Sequence, residues 1–220
     1  MIIIIAIEYM KRLRRLVNYM NMFSIPKRFF NRIKKELFIK NFKSFDISSG
    51  IGNIGFGDTC EIVGKHNISV GKNTWIGPNS ELLVYDSHFQ QKLNSNLSFG
   101  DNVRIQCRIR ITCAGNIKIG NDVLFGPDVF ITDHNHGMNP TLEGGYSPQN
   151  IMIDDVTIED GCWIGQRCCI MPGTNIGKHS IIGTNSVVTK NIPPYSIAVG
   201  SPAKVVKTWD FEKSKWEKVG

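Results

Sequence analysis

Six consecutive residues, Thr132-Asp133-His134-Asn135-His136-Gly137, hold two of the five histidines in this 220-residue chain. An imidazole titrates near neutral pH, so it can take a proton from an attacking hydroxyl and return it to a leaving group. Asp133 or Glu143 is available to orient such a ring through its other nitrogen, a task a backbone carbonyl also performs. The pattern has two other readings. Loop histidines without a catalytic task are common, and His134 and His136 could reach one metal ion from an extended loop, with His66 or His88 as a third ligand. No Ser or Cys lies in a local motif with a base, so a covalent acyl-enzyme is not expected.

The elements that must position this loop announce themselves by period. Aliphatic residues recur every sixth position at Ile158, Ile164, Ile170, Ile176, Ile182 and Val188. Neither a helix nor an amphipathic strand gives that spacing, whereas short strands stacked coil on coil do. The same period runs through Val70, Ile76 and Leu82 and through Phe99, Ile105, Ile111 and Ile117, then shifts register at Ile119, Phe125 and Ile131. An all-β helix of roughly seven coils over 47–200 follows if three hexads close one turn. A single coil buries almost nothing, so stability comes from stacking. Two stretches break the count, near 85–97 and 133–155. Loops on a rigid scaffold are where binding groups gather, and the second break carries the histidines.

Charge divides the chain. Residues 1–45 hold eleven Lys or Arg and two Glu, a net +9, while the remaining fifteen basic and seventeen acidic residues net −2. The repeat body is therefore not basic, which argues against nucleic acid as a partner. Met10, Leu13, Leu16, Val17 and Met20 fit one helical face, and Phe29, Phe30, Ile33 and Leu37 fit another after Ser24-Ile25-Pro26. Residues 1–45 thus read as a basic amphipathic helical extension that either meets an anionic membrane surface or caps the first coil. Met1–Ile7 is too short to span a bilayer and lacks the features of a secretory signal. Cys162 and Cys168 occupy one place in successive hexads, as do Cys107 and Cys113, which suits small apolar side chains in a reducing cytoplasm and not a disulfide or zinc framework. The domain reading is 1–45 extension, 46–207 β-helix and 208–220 tail with a short strand or helix.

The hexads, the histidine insertion and the run Asp160-Gly161-Cys162-Trp163-Ile164-Gly165-Gln166 resemble the hexapeptide-repeat acyltransferases. Pro172-Gly173, Val188-Thr189-Lys190-Asn191-Ile192-Pro193-Pro194 and Val199-Gly200-Ser201-Pro202-Ala203-Lys204-Val205-Val206-Lys207 extend the likeness across 47–207. Among these families the chain is similar to maltose and galactoside O-acetyltransferases and to bacterial surface-polysaccharide O-acetyltransferases. The resemblance implies a left-handed parallel β-helix, a homotrimer and acetyl-CoA in a groove between neighbouring prisms. It implies no metal: the histidine pair five residues apart used by hexad-repeat carbonic anhydrases is absent. Counted without gaps from Ile119-Gly120, the family's catalytic histidine falls on His136, with His134 its neighbour and competitor.

The other site residues are also carried over by resemblance. Trp163 matches the aromatic at the pantetheine and acetyl end of the groove, and Gln166 stands where a CoA-contacting Ser is usual. Thr184, Thr189 and Lys190 match cofactor-channel positions. Lys204 and Lys207 match basic residues, usually Arg, near the CoA phosphates, and as Lys they lose the bidentate fork. Gln106 replaces an Asn near the acceptor, and Asp133 is a second candidate for substrate contact.

The implied reaction is acetyl transfer from acetyl-CoA to a sugar hydroxyl in surface polysaccharide assembly, in the cytoplasm, with a peripheral position at the inner face of the membrane as one variant. An amino-sugar nucleotide as N-acetyl acceptor and a non-catalytic hexad scaffold are the alternatives. Serine acetyltransferase fits less well because its long helical N-terminal domain is missing.

Overall fold

A computed structural model describes residues 59–219 together with the backbone of Ser44–Phe45 and Gly55–Phe56. The expected helices of residues 1–45 lie outside the described residues. From Glu61 onward the chain winds through short parallel strands that stack into three sheets, the faces of a triangular prism. One turn shows the pattern: Val156–Ile158 on the first face, Trp163–Ile164 on the second and Cys169–Ile170 on the third, before Asn175–Ile176 returns to the first. The fold is a left-handed parallel β-helix, an exception to the right-handed crossover preference.

The hexad residues fill the prism. Ile105, Ile111, Ile164, Ile170, Ile176, Ile182 and Val188 are fully buried and form one continuous core. Complete burial of each such side chain contributes about 1.5–3 kcal/mol. The register shift at Ile119 has a simple cause. Asn116–Ile119 is a four-residue strand in which Ile117 and Ile119 both point inward, so two extra residues preserve the facing.

Corners need residues that tolerate left-handed backbone. Asn73, Asn102, Asp122 and Gly161 stack at one edge with φ of 51°, 59°, 57° and 70°. Asn and Asp enter that region more readily than other side chains, and Gly does so freely. Their side chains also form a ladder, Asn73 Nδ2 donating to Asn102 Oδ1 and Asn102 Nδ2 to Asp122 Oδ1, each at 2.9 Å. Small inward residues complete the corners. Ser186 Oγ donates to the Gly183 carbonyl at 2.6 Å, and the Cys168 thiol occupies the equivalent place one coil earlier. Burial pushes the Cys162 thiol up to about 11, so it stays protonated as a small apolar group.

Both insertions leave the prism at the same edge, between the third and first faces. The first follows Glu81–Val84 and the second follows Phe130–Thr132, with Arg110–Cys113 between those two strands in the sheet. At the C-terminal end, Lys204–Asp210 and Lys215–Lys218 form an antiparallel hairpin on the second face. That strand runs through position 207, where the sequence suggests a domain end.

Candidate active site

The second insertion is rooted by a carboxylate. Asp133 is fully buried; its Oδ1 accepts Ala114 N–H and its Oδ2 accepts Gly115 N–H, each at 2.8 Å. Both donors belong to the corner of the coil between the two insertions. Asp133 Oδ1 also lies 2.8 Å from His134 Nδ1. A carboxylate only accepts, so Nδ1 carries the hydrogen, the tautomer that leaves Nε2 as the acceptor of a neutral ring. Asp133 thus lies where it can orient an imidazole. The expectation of Asp133 as a substrate contact is corrected, because a fully buried carboxylate already holding three donors has no face for a ligand. Glu143 is exposed.

His134–Asn135 then pairs antiparallel with Met152–Ile153, which makes the base of the insertion a short ribbon. In extended chain, alternate residues share a side, and His134 and His136 both border one cleft. The two rings differ in setting. The His134 side chain is 15% exposed and meets the Tyr85 ring edge-on at 6.0 Å. His136 is less enclosed, and its ring sits 5.3 Å from that of His88.

The opposite wall is the first insertion, a small hairpin of Ser87–His88 and Gln91–Lys92. Tyr85, His88, Phe89 and Leu93 come from it, while Ile151 joins the histidines from the second insertion, enclosing about 430 Å³. Gln91 ties the walls together. Its Nε2 donates to the Ile151 carbonyl at 3.1 Å and its Oε1 accepts Ile151 N–H at 2.8 Å, imitating a strand edge. His88 Nε2 donates to the Ser147 carbonyl at 3.0 Å. Inside the second insertion, the Gln149 amide bonds Asn139 N–H, Asn139 O and Gly145 O. Among the described residues no three His, Cys, Asp or Glu side chains converge as a metal site. Cys113 lies beside Asp133, but burial and that carboxylate push its thiol far up, which leaves it unsuited as a nucleophile.

Sequence reasoning missed Tyr85, Phe89, Gln91, Leu93 and Ile151, and weighed His88 only as a metal ligand. The broken period near 85–97 was the available signal.

The remaining expected site residues lie elsewhere on the prism. Trp163, 50% exposed, is in register with Ile181, Ile181 with Ile197, and Ile197 with Lys207. Three strand spacings separate Trp163 from Lys207, about 14 Å. Lys204 is on the same terminal hairpin, paired with Val199. Gln166 and Thr184 are neighbours at the edge between second and third faces, where Asn185 N–H bonds Gln166 O at 2.9 Å. Gln106 is exposed at that same edge, away from the cleft. Thr189 and Lys190 follow Val187–Val188 on the third face, so they share the insertions' edge. Outward residues of the second face, Trp75, Leu124 and Trp163 with Arg104 among them, form an exposed and largely apolar column. The matching column on the first face is Ser69, Ser98, Lys118, Thr157 and Asn175.

Comparison with known proteins agrees with this architecture. Residues 155–190 match the family model described as bacterial transferase hexapeptide (six repeats). The chain is 38% identical over 127 residues to WbbJ of Escherichia coli K12, provisionally named a lipopolysaccharide biosynthesis O-acetyl transferase. That match covers 54% of this chain and 64% of WbbJ, slightly under two thirds of the relative. Galactoside O-acetyltransferase of Lactococcus lactis is 32% identical over 161 residues, covering 70% of this chain and 72% of that enzyme. Among solved structures, AntD, an N-acyltransferase from Bacillus cereus in complex with dTDP and 3-hydroxybutyryl-CoA, superposes with a TM-score of 0.62 at 20% identity. The superposition covers 82% of this chain and 90% of AntD, a likeness of fold. With its hexad core, its inserted histidine loop and a relative matched over most of its length, the chain belongs to the hexapeptide-repeat acyltransferase family.

Proposed function

We propose that this protein transfers an acetyl group from acetyl-CoA to a sugar hydroxyl, with His136 as the general base. The observation that carries the reading is the cleft itself, where two insertions leaving one edge of a rigid prism bring imidazoles to one side of an extended strand. His136 is favoured because it occupies the family's position and is the more open of the two rings at the cleft wall. Neutral His136 takes the hydroxyl proton as the oxygen attacks the thioester carbonyl. Backbone N–H groups of neighbouring coils stabilise the tetrahedral oxyanion. The C–S bond then breaks, the ester remains, and the imidazolium returns its proton to the CoA thiolate.

In this reading the donor lies in a groove between two prisms, along the second face of one copy and its edge with the third, closed by the insertions' edge of a neighbouring copy. Trp163 covers the acetyl end, Gln166, Thr184, Thr189 and Lys190 follow the pantetheine, and Lys204 and Lys207 meet the phosphates. The apolar column of Trp75, Leu124 and Trp163 packs toward neighbouring copies in a homotrimer, and Gln106 reaches the acceptor only across such a boundary. Surface polysaccharide is the proposed destination, in line with the name of the WbbJ relative. Residues 1–45 would hold the enzyme at the inner face of the membrane; among the described residues no helix is long and apolar enough to cross one.

One observation favours a second reading with His134 as base, namely the Asp133 carboxylate on Nδ1, the orientation device of catalytic triads. The function is tested by following thiol release from acetyl-CoA against a panel of glycosides and amino-sugar nucleotides. Release with a neutral glycoside and a product heavier by one acetyl group are expected. Absence of acetyl-CoA binding in calorimetry would overturn the enzyme reading, and transfer only to an amine would replace oxygen by nitrogen as the acceptor atom.

A further inference from the structure

Phe89 breaks two rules at once. It is the first of the two residues linking Ser87–His88 to Gln91–Lys92, and it holds φ at +49°. Hairpin turns give that conformation to Gly, Asn or Asp, and an aromatic residue there is disfavoured by about 1–3 kcal/mol. Its ring is also 67% exposed. Neither the turn nor the core gains from a phenylalanine at this point. The ring nevertheless borders the cleft and meets His88 edge-on at 4.9 Å. Strain that persists at a cleft wall points to a ligand.

We infer that Phe89 is the platform of an acceptor subsite, stacking on the apolar face of an uncharged sugar ring whose hydroxyls reach His88 and His136. The chemistry of the walls selects this class. An aromatic face with imidazoles beside it suits a ring that is apolar on its faces and hydroxylated on its rim. Among the described residues the cleft lining contains no Lys, Arg, Asp or Glu, so these walls offer no fixed counter-charge to a diphosphate or an ammonium group. Its volume of about 430 Å³ falls within the ~300–1,000 Å³ usual for small-molecule sites, room for a short glycan end. Gln91, fastened to Ile151, keeps this platform facing the histidines. The inference rests on reading the cleft as the acceptor side of the transfer site.

The test compares wild type with Phe89→Asn, which suits the positive φ, and Phe89→Trp, which keeps an aromatic face. Binding of methyl galactoside, methyl glucoside and methyl N-acetylglucosaminide is followed by saturation-transfer NMR without acetyl-CoA, and melting temperature reports the fold. The expected result is glycoside binding in wild type and Phe89→Trp, weakened at least tenfold in Phe89→Asn, with the melting temperature of Phe89→Asn unchanged or raised. Unweakened binding in Phe89→Asn, or no glycoside binding by wild type, would overturn the subsite. Binding through Phe89 without acetyl transfer to any glycoside would leave the subsite standing and remove the proposed reaction. Transfer with an unaltered acceptor KM in Phe89→Asn would do the reverse.

Discussion

Replacing Asp133 by Asn separates the two tasks its carboxylate could serve. Three donors converge on it at 2.8 Å, Ala114 N–H and His134 Nδ1–H on Oδ1 and Gly115 N–H on Oδ2. In Asp133→Asn the amide oxygen can take the place of Oδ1 and keep two of them. The amide NH₂ then faces Gly115 N–H, donor against donor, in a fully buried site. Losing one hydrogen bond to a charged acceptor costs about 1.5–3 kcal/mol, and the two retained bonds weaken as the acceptor becomes neutral. Relief of a buried charge offsets part of this, leaving a net loss of about 3 kcal/mol. In a chain of this length that lowers the melting temperature by about 6–12 °C. Because His136 is the proposed base, kcat of the folded variant should stay within about tenfold of wild type, whereas removing the orienter of a true base costs about 10⁴-fold. Thermal unfolding and thiol release, measured well below the variant's midpoint, read both effects. A melting shift under about 2 °C would refute the anchoring role. A collapse of kcat in folded protein would refute His136 and install His134.

Gly77→Ala should abolish or severely weaken folding, by about 3 kcal/mol or more, since a Cβ there would collide with the Gln106 carbonyl oxygen and backbone cannot yield. An unchanged melting temperature contradicts it. Gln91→Ala should leave global stability nearly intact and loosen the cleft, raising amide hydrogen exchange at Ile151 by roughly tenfold for a bond of about 1.4 kcal/mol; unaltered exchange would show that the clamp is idle. The Cys162 thiol, raised to about 11 by burial, ionises later in the folded than in the unfolded chain, so the unfolded state sheds protons first as pH rises. Stability should therefore fall between about pH 9 and 11, with Cys162 contributing roughly 3 kcal/mol over the window and the buried Cys113 and Cys168 thiols, raised in the same direction, adding to it. Cys162→Ser, which copies Ser180 one coil later, should remove the Cys162 share and make the fall in pH-dependent melting shallower; a fall of undiminished size in the variant would assign it to the other groups.

The prism is legible because each coil repeats one simple demand. Ile164, Ile170, Ile176, Ile182 and Val188 each fill the same interior slot, so a period of six survives in the sequence, and Asn73, Asn102 and Asp122 mark corners by their tolerance of positive φ. The histidine loop is legible as a break in that period. Its opposite wall is not. Ser87–Lys92 forms a hairpin through Phe89 and Gln90, residues without turn chemistry, and nothing local announces that Gln91 will fasten to Ile151 sixty positions away. The role of Asp133 is half legible: adjacency to His134 suggests orientation, while its larger duty to Ala114 and Gly115 depends on coils stacking in register. In sequence, only the register implied by the family resemblance separates His136 from His134. The structure adds two physical differences, the carboxylate at one ring and the openness of the other.

The decisive measurement is kcat for acetyl transfer from acetyl-CoA to a neutral glycoside, in wild type, His136→Ala and His134→Ala under identical conditions. Loss of about 10²–10⁴-fold in His136→Ala, with His134→Ala retaining substantial turnover, is the predicted result for a general base. Activity retained in His136→Ala and lost in His134→Ala would contradict the assignment, and wild-type protein that binds acetyl-CoA yet acetylates no sugar would contradict the reaction.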